Sequence, residues 1–318
     1  MKRTFTMFGA KQPERPEKDA FTMAEILLSL TIIGVVAAIT LPSLTGNINE
    51  RTWNTQRKAL YARFSQAMAL MPSMNQYSDV DTFLAAGLSK VLKINNICDK
   101  DHLADCGITS KNITDALGNQ LLMPKTIEEL NSKNVSVNWT DDDGNTYSYS
   151  GQNGDAAAFE TANGESIVAF YNKTCQTDMQ ESAYYVASKV CANFIYDLNG
   201  SKGPNTVGKD IGVITVMYPT DSVVAAPMPY LRDGGRSVAF ADAQAACTAM
   251  DPEYRAPNVA EVVSMTYNAK LFNIEEAHYW TTTRYDATRA WIGGGVTGRM
   301  VPFPIDDTEY KIARCVKR

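Results

Sequence analysis

Histidine is nearly missing from this 318-residue chain, which has only His102 and His278. A His-based triad or a His-rich zinc centre therefore has almost nothing to draw on. HExxH and GxSxG are absent, and no Lys-Ser/Thr follows the run Gly293, Gly294, Gly295. Those gaps remove the metalloprotease, nucleophile-elbow and phosphate-loop signatures. No two cysteines are spaced as CxxC, so the commonest redox and zinc-ribbon patterns are missing too. Positive charge is not in excess either: the formal net charge is −5 and Lys and Arg are scattered. Nucleic acid is therefore not an expected partner. Glu275, Glu276 and His278 lie close together on what reads as a solvated helix end or loop, and the chain is not expected to be an enzyme.

What stands out is an apolar run from Ala20 to Leu44 that carries one carboxylate, Glu25. An acid in a membrane helix costs about 2.5 to 3.5 kcal/mol at the bilayer centre, which implies a partner for it. Ile26 to Leu41 is short for a span, whereas Phe21 to Leu44 is long enough. A secretory signal peptide and a plain anchor are the alternatives; Ala37-Ala38-Ile39-Thr40 half offers a signal-peptidase site. Beyond Pro42, Leu60, Phe64, Ala67, Met68 and Met71 form one helical stripe, while Arg51, Arg57, Lys58 and Arg63 keep another face wet. A single helix over 21–71 would extend about 75 Å, kinked near Pro42.

All six cysteines follow the apolar run. An even set of this kind favours disulfides in an oxidising space. Six cysteines admit many connectivities; the gaps favour sequential pairs, Cys98 with Cys106, Cys175 with Cys191 and Cys247 with Cys315. Free buried thiols and a zinc site are the alternatives.

Strand signals run through the middle of the chain. Val135–Thr140 and Thr146–Ser150 flank Asp143-Gly144, and Ala158–Thr161 and Ser166–Tyr171 flank Asn163-Gly164. Val190–Tyr196 and Ile211–Tyr218 would complete an antiparallel meander with an apolar face for the helix. The loop between those last two strands, DLNGSKGPNTVGKD, offers Asp197, Asn199 and Asp210 as oxygen ligands of the kind calcium takes. The same residues also suit a turn that caps its own backbone. Pro219 to Arg236, with three prolines and a Gly-Gly, reads as a boundary. After it, SVAFADAQAACTAM and APNVAEVVSMTYN read as helices, and YWTTT, RAWIGGG and YKIARCV as short strands. Tyr279, Trp280, Tyr285, Trp291 and Phe303 are either a recognition surface or core, with core favoured for both tryptophans.

The run Phe21, Thr22, Glu25, Gly34 and Pro42 follows a leader of five Lys or Arg against three Asp or Glu. It resembles the N-terminal signal of type IV pilins and type II secretion pseudopilins. The resemblance implies cleavage by a prepilin peptidase between Ala20 and Phe21, with N-methylation of Phe21; the family favours Gly where this chain has Ala20. It implies that Glu25 pairs with the Phe21 ammonium of a neighbouring subunit. Helix and cysteine order from Ser237 to Arg318, with Trp291-Ile292-Gly293 on a strand, further resembles the C-type-lectin-like fold of bacterial surface modules. That implies a Cys247–Cys315 staple. The acid that calcium-dependent sugar sites carry is missing from Ala256-Pro257-Asn258, so sugar binding does not follow from the scaffold.

The expected fold is α+β: a long N-terminal helix on an antiparallel sheet, plus a small C-type-lectin-like α+β domain. Its expected parts are a leader (1–20), a spine helix (21–71, with 21–44 the transmembrane and assembly part), a head (72–218), a linker (219–236) and a final domain (237–318). Expected partners are the prepilin peptidase, other pilin or pseudopilin subunits, the inner membrane before assembly, and a surface receptor. No cofactor is required, calcium being the one candidate. The head would lie outside the cytoplasm, on a single-pass inner-membrane precursor and then on a pilus or pseudopilus in the periplasm or at the cell surface.

Overall fold

A computed structural model describes residues 22–71, 76–107, 112–115, 117–130, 137–140, 146–149, 156–173, 175, 190–200, 202–217, 222–225, 236–250, 252–275, 277–294, 299–307 and 311–317. Side chains are described at all of these except 39–49, 112, 128, 137–140, 146–149, 222–225, 236–237 and 299. The chain divides into two units, Met1–Arg51 and Thr52–Arg318. Helix α1 (Met23–Leu70) carries residues of both, and each unit is described by itself. The kink expected at Pro42 falls outside the described side chains.

The second unit is organised around a six-stranded antiparallel sheet. After the short helix α2 (Val80–Thr82) comes strand β1 (Ile94–Cys98), then the hairpins β2 (Asn112–Thr114) with β3 (Gln120–Leu122) and β4 (Val137–Thr140) with β5 (Thr146–Tyr149). Helix α3 (Ile127–Leu130) lies between the hairpins in sequence. Strands β6 (Ala157–Thr161), β7 (Ser166–Tyr171), β8 (Val190–Asp197), β9 (Ile211–Met217) and β10 (Ser222–Ala225) then meander, and the sheet order is β1-β6-β7-β8-β9-β10. β10 falls inside the stretch whose prolines read as a boundary.

Period-2 geometry sends alternate residues of each strand to opposite faces. Phe159, Ile167, Ala169, Phe194, Tyr196 and Ile214 face one core, together with Leu60, Phe64, Ala67 and Met68 of α1. Phe64 meets Phe194 edge-on, with ring centroids 4.8 Å apart. Ala158, Val168, Phe170, Ile195, Ile211 and Val213 face a second core. Both faces are covered, which is why these strands read as near-continuous apolar runs.

The second core is completed by the C-terminal part of the chain. Strand β11 (Arg236–Val238) precedes a 3₁₀ turn, Phe240–Asp242, and helix α4 (Ala243–Met250). Ser237 and Val238 are thus strand, not the start of the helix. Strand β12 (Tyr254–Arg255), helices α5 (Val259–Tyr267) and α6 (Ala269–Phe272), and strands β13 (His278–Arg284), β14 (Arg289–Gly294), β15 (Arg299–Pro304), β16 (Lys311–Ala313) and β17 (Val316–Lys317) complete the chain. Five of these strands form a sheet in the order β11-β16-β13-β14-β15. Tyr279, Trp291, Met300 and Ile312 face α5 and the second core, while Trp280, Ile292, Val301 and Ala313 face α4. A Cβ on Gly293 would clash with Val262 Cγ1, so glycine there permits the close approach of α5. Helix α5 is therefore sandwiched, with β9 and β10 on one side and β13 and β14 on the other.

Candidate functional site

Among the described residues of the apolar N-terminal segment, most side chains are exposed. Met23, Leu27, Leu28, Leu30, Ile33 and Val35 are each more than half exposed. A helix that is apolar all round needs an apolar surrounding, lipid or other helices. Among the described residues no helix is long and apolar enough to cross a membrane; the described apolar side chains of this segment end at residue 38.

Glu25 has a partner within its own chain. Thr22 N and Thr22 Oγ1 donate to Glu25 Oε2 at 2.9 and 2.8 Å, and Glu25 N donates back to Thr22 Oγ1 at 3.3 Å. This is a capping box closing the first turn of α1. Its sequence signal, Thr-x-x-Glu ahead of an apolar run, is present in the chain and points to a partner that the charge of Glu25 alone does not identify. Ala20 and Phe21, the processing residues, lie outside the described residues.

All six cysteines are paired: Cys98–Cys106, Cys175–Cys191 and Cys247–Cys315. Three disulfides indicate that the chain matures outside the cytoplasm.

The loop after β8 holds itself together. Asp210, fully buried, accepts from the amides of Asn205 and Thr206 at 2.8 Å each. Asp197 accepts from Asn199 N at 3.1 Å, and Asn199 Nδ2 donates to Gly203 O at 3.0 Å. Asn199 Oδ1 is buried without a hydrogen-bond partner. Calcium takes six to eight oxygens; here the two aspartates are turned toward the loop's own amides. Among the described residues no group of three or more His, Cys, Asp or Glu is placed to hold a metal ion. Arg57 Nη1 donates to Gly208 O at 3.0 Å and ties this loop to α1.

Two further polar assemblies fix elements in place. Arg63 of α1 forms an ion pair with Glu165, which also accepts from Thr161 in the β6–β7 turn. Beside it, a cleft of 260 Å³ is lined by Arg63, Gln66, Leu70, Lys93 and Asn163 among others, a set with no nucleophile–base pair. Asp115 in the β2–β3 turn accepts from Leu117 N, Asn119 N and Asn273 Nδ2, and Asn273 O accepts from the buried Arg314 at 3.3 Å. Burial works to raise the Asp115 carboxyl, but the hydrogen bonds from Asn273 and Asn119 outweigh it and hold it below the usual carboxylate range.

In the C-terminal part, Trp280 and Tyr279 are core residues, 0% and 1% exposed. Trp291 is only partly buried, and Tyr285 is 46% exposed. The two rings meet edge-on at 5.2 Å, and the Arg289 guanidinium lies over Tyr285 at 4.7 Å. Asp286 accepts from Thr288 N at 2.9 Å, Arg289 N at 2.8 Å and Arg289 Nε at 2.7 Å, which fixes the hairpin tip. The Arg289 and Thr288 contacts pull the Asp286 carboxyl down to about 2.

Set against known proteins, the chain matches no family model and no curated relative.

Proposed function

We propose that this chain is a structural subunit, minor or at the tip, of a type IV pilus or type II secretion pseudopilus, processed between Ala20 and Phe21. The observation that carries the reading is the helical segment from Met23 to residue 38, mostly apolar with its large side chains about half exposed or more and Glu25 in its first turn. In a membrane or a fibre core such a surface is covered. Further support comes from the second half of α1, whose stripe packs on an antiparallel sheet, and from the three disulfides. Glu25 then serves twice, capping its own helix and, after cleavage, accepting the Phe21 ammonium of a neighbour. Mass spectrometry of the amino terminus of membrane-extracted protein tests this. N-methyl-Phe21 is the expected result; a terminus at Met1 or beyond Leu41 would overturn it.

A second reading concerns the C-terminal part, which on this proposal is a C-type-lectin-like module acting in adhesion. It is favoured by the staple from α4 to the segment between β16 and β17, and by the exposed hairpin tip. Tyr, Trp and Arg fixed in place at a loop tip are the residue types that anchor recognition surfaces. Removing residues 237–318 would strip the second face of the six-stranded sheet, so point substitutions are the cleaner test. Tyr285→Ala, which truncates the exposed ring, should reduce attachment of intact fibres while leaving subunit levels unchanged; unaltered attachment would refute the adhesive role.

A further inference from the structure

Helix α5 meets the six-stranded sheet through a surface that is apolar except at its centre. There, Asn193 on β8 stands opposite Thr215 on β9, and both point at α5. From the helix side come Ser264 and Asn268, one turn apart. All four are fully buried. Asn193 Nδ2 donates to Asn268 Oδ1 at 2.8 Å, and Asn268 Nδ2 donates to Asn193 Oδ1 at 3.0 Å. Thr215 Oγ1 donates to Asn193 Oδ1 at 2.8 Å and shares a hydrogen bond with Ser264 Oγ at 2.6 Å. The spare proton of Asn268 reaches Ser264 O at 2.8 Å. Two residues of a cross-strand pair and two of an i, i+4 pair thus close a square in which every member is satisfied.

We infer that this square is a positional key that sets a single docking register for the C-terminal part of the chain on the sheet. Burial of the Val, Met and Ala side chains around it is non-directional, whereas buried hydrogen bonds are lost outright when α5 slides by one turn, about 5.4 Å. A slide of that size would break the three hydrogen bonds that cross from sheet to helix, two between the amides and one between Thr215 and Ser264, and only the Thr215–Asn193 and Asn268–Ser264 bonds, one within the sheet and one within the helix, would survive. Asn268 also fixes the start of α6, because its carbonyl accepts from Leu271 N and Phe272 N. Through α5 the key aligns β13 and β14, and so aims the Tyr285 hairpin. The inference stands whether or not the chain assembles into a fibre.

The test replaces all four groups together in the full-length, disulfide-intact chain in detergent: Asn193→Leu, Thr215→Val, Ser264→Ala and Asn268→Leu. Replacing both members of each contact avoids stranding a polar group. The expected product still unfolds cooperatively. Its amide-exchange protection over 259–267 and 278–294 falls by roughly tenfold or more, while 157–171 keeps its protection. The near-UV circular dichroism of its tryptophans weakens. A companion with Ala at 193 and 268 should show the same loss, which separates the missing key from overpacking by leucine. Reverting positions 193 and 268 to Asn should restore protection. Unchanged exchange and near-UV signal in the quadruple variant would overturn the inference. So would a quadruple variant that fails to fold, because the square would then be a source of stability and not of register.

Discussion

Phe64→Ala tests how α1 is held to the sheet. Phe64 is fully buried and packs edge-on against Phe194 at 4.8 Å, with Phe159 at 6.5 Å. Truncating a buried Phe typically costs about 3 to 5 kcal/mol, the lost transfer energy plus the cavity left behind. Leu60 and Met68, on the same stripe, are themselves packed tightly, so the site has little room to collapse and the upper part of that range applies. For a unit of this size 1 kcal/mol moves the midpoint by about 2 to 4 °C, so about 4 to 5 kcal/mol should lower it by roughly 8 to 20 °C. Thermal unfolding followed by far-UV circular dichroism, with disulfides intact, reads it. Tyr61→Ala is the internal control, since Tyr61 is 37% exposed and outside the stripe. A shift no larger than the control's would refute the packing argument.

Glu25→Gln separates the two roles of Glu25. Glutamine still suits the capping box but carries no charge, so subunit levels should hold while fibre yield falls sharply; normal assembly by the variant would reduce Glu25 to a cap. Asp115 has its carboxyl held below the unfolded value of about 3.9, so its contribution is present above that pH and lost as pH falls through the folded pKa. Asp115→Asn should accordingly lower the urea midpoint at pH 7, with the gap to the parent protein starting to close only as pH falls below about 4 and vanishing below the folded pKa; parallel curves at every pH would contradict this. Removing the Cys247–Cys315 bridge, whose sequence separation is 68, should cost about 4 kcal/mol on the chain-entropy model. Equal urea midpoints for the parent and a Cys247→Ser/Cys315→Ser variant would show that the bridge constrains the unfolded chain far less.

Within the two large sheets, the strands that the sequence reveals and those it hides differ in one physical respect; the two-stranded hairpin of β4 and β5, also read from the sequence, stands outside them. β6, β7, β8, β9, β13 and β14 have a neighbour on each side and were legible as apolar runs or alternation. β1, β10, β11 and β15 are the four edges of the two large sheets, and none was read as a strand. An edge strand satisfies one partner only and tolerates residues a central strand rejects: β15 contains Pro302 and Pro304, and β10 sits in a proline-rich stretch. The polar groups that tie the cores together were hidden for another reason. Asn193 and Asn268 are 75 residues apart, and Asp115 and Asn273 are 158 apart, so no local pattern announces either pair.

Residue order alone determined the helical stripe from Leu60 to Met71, the central strands, and the candidate processing signal, because each depends on spacing within a turn or a pleat. The three disulfide pairs were expected from cysteine gaps and are those formed. Only the tertiary structure decided what covers the sheet's second face. Hydrophobic periodicity says that a face must be buried but not against what, and here α5 fills that place, bonded through Ser264 and Asn268 to Thr215 and Asn193 of the sheet. Glu25 is the contrary case: its partner Thr22 lies three residues away, and the Thr-x-x-Glu pattern by itself carries that contact.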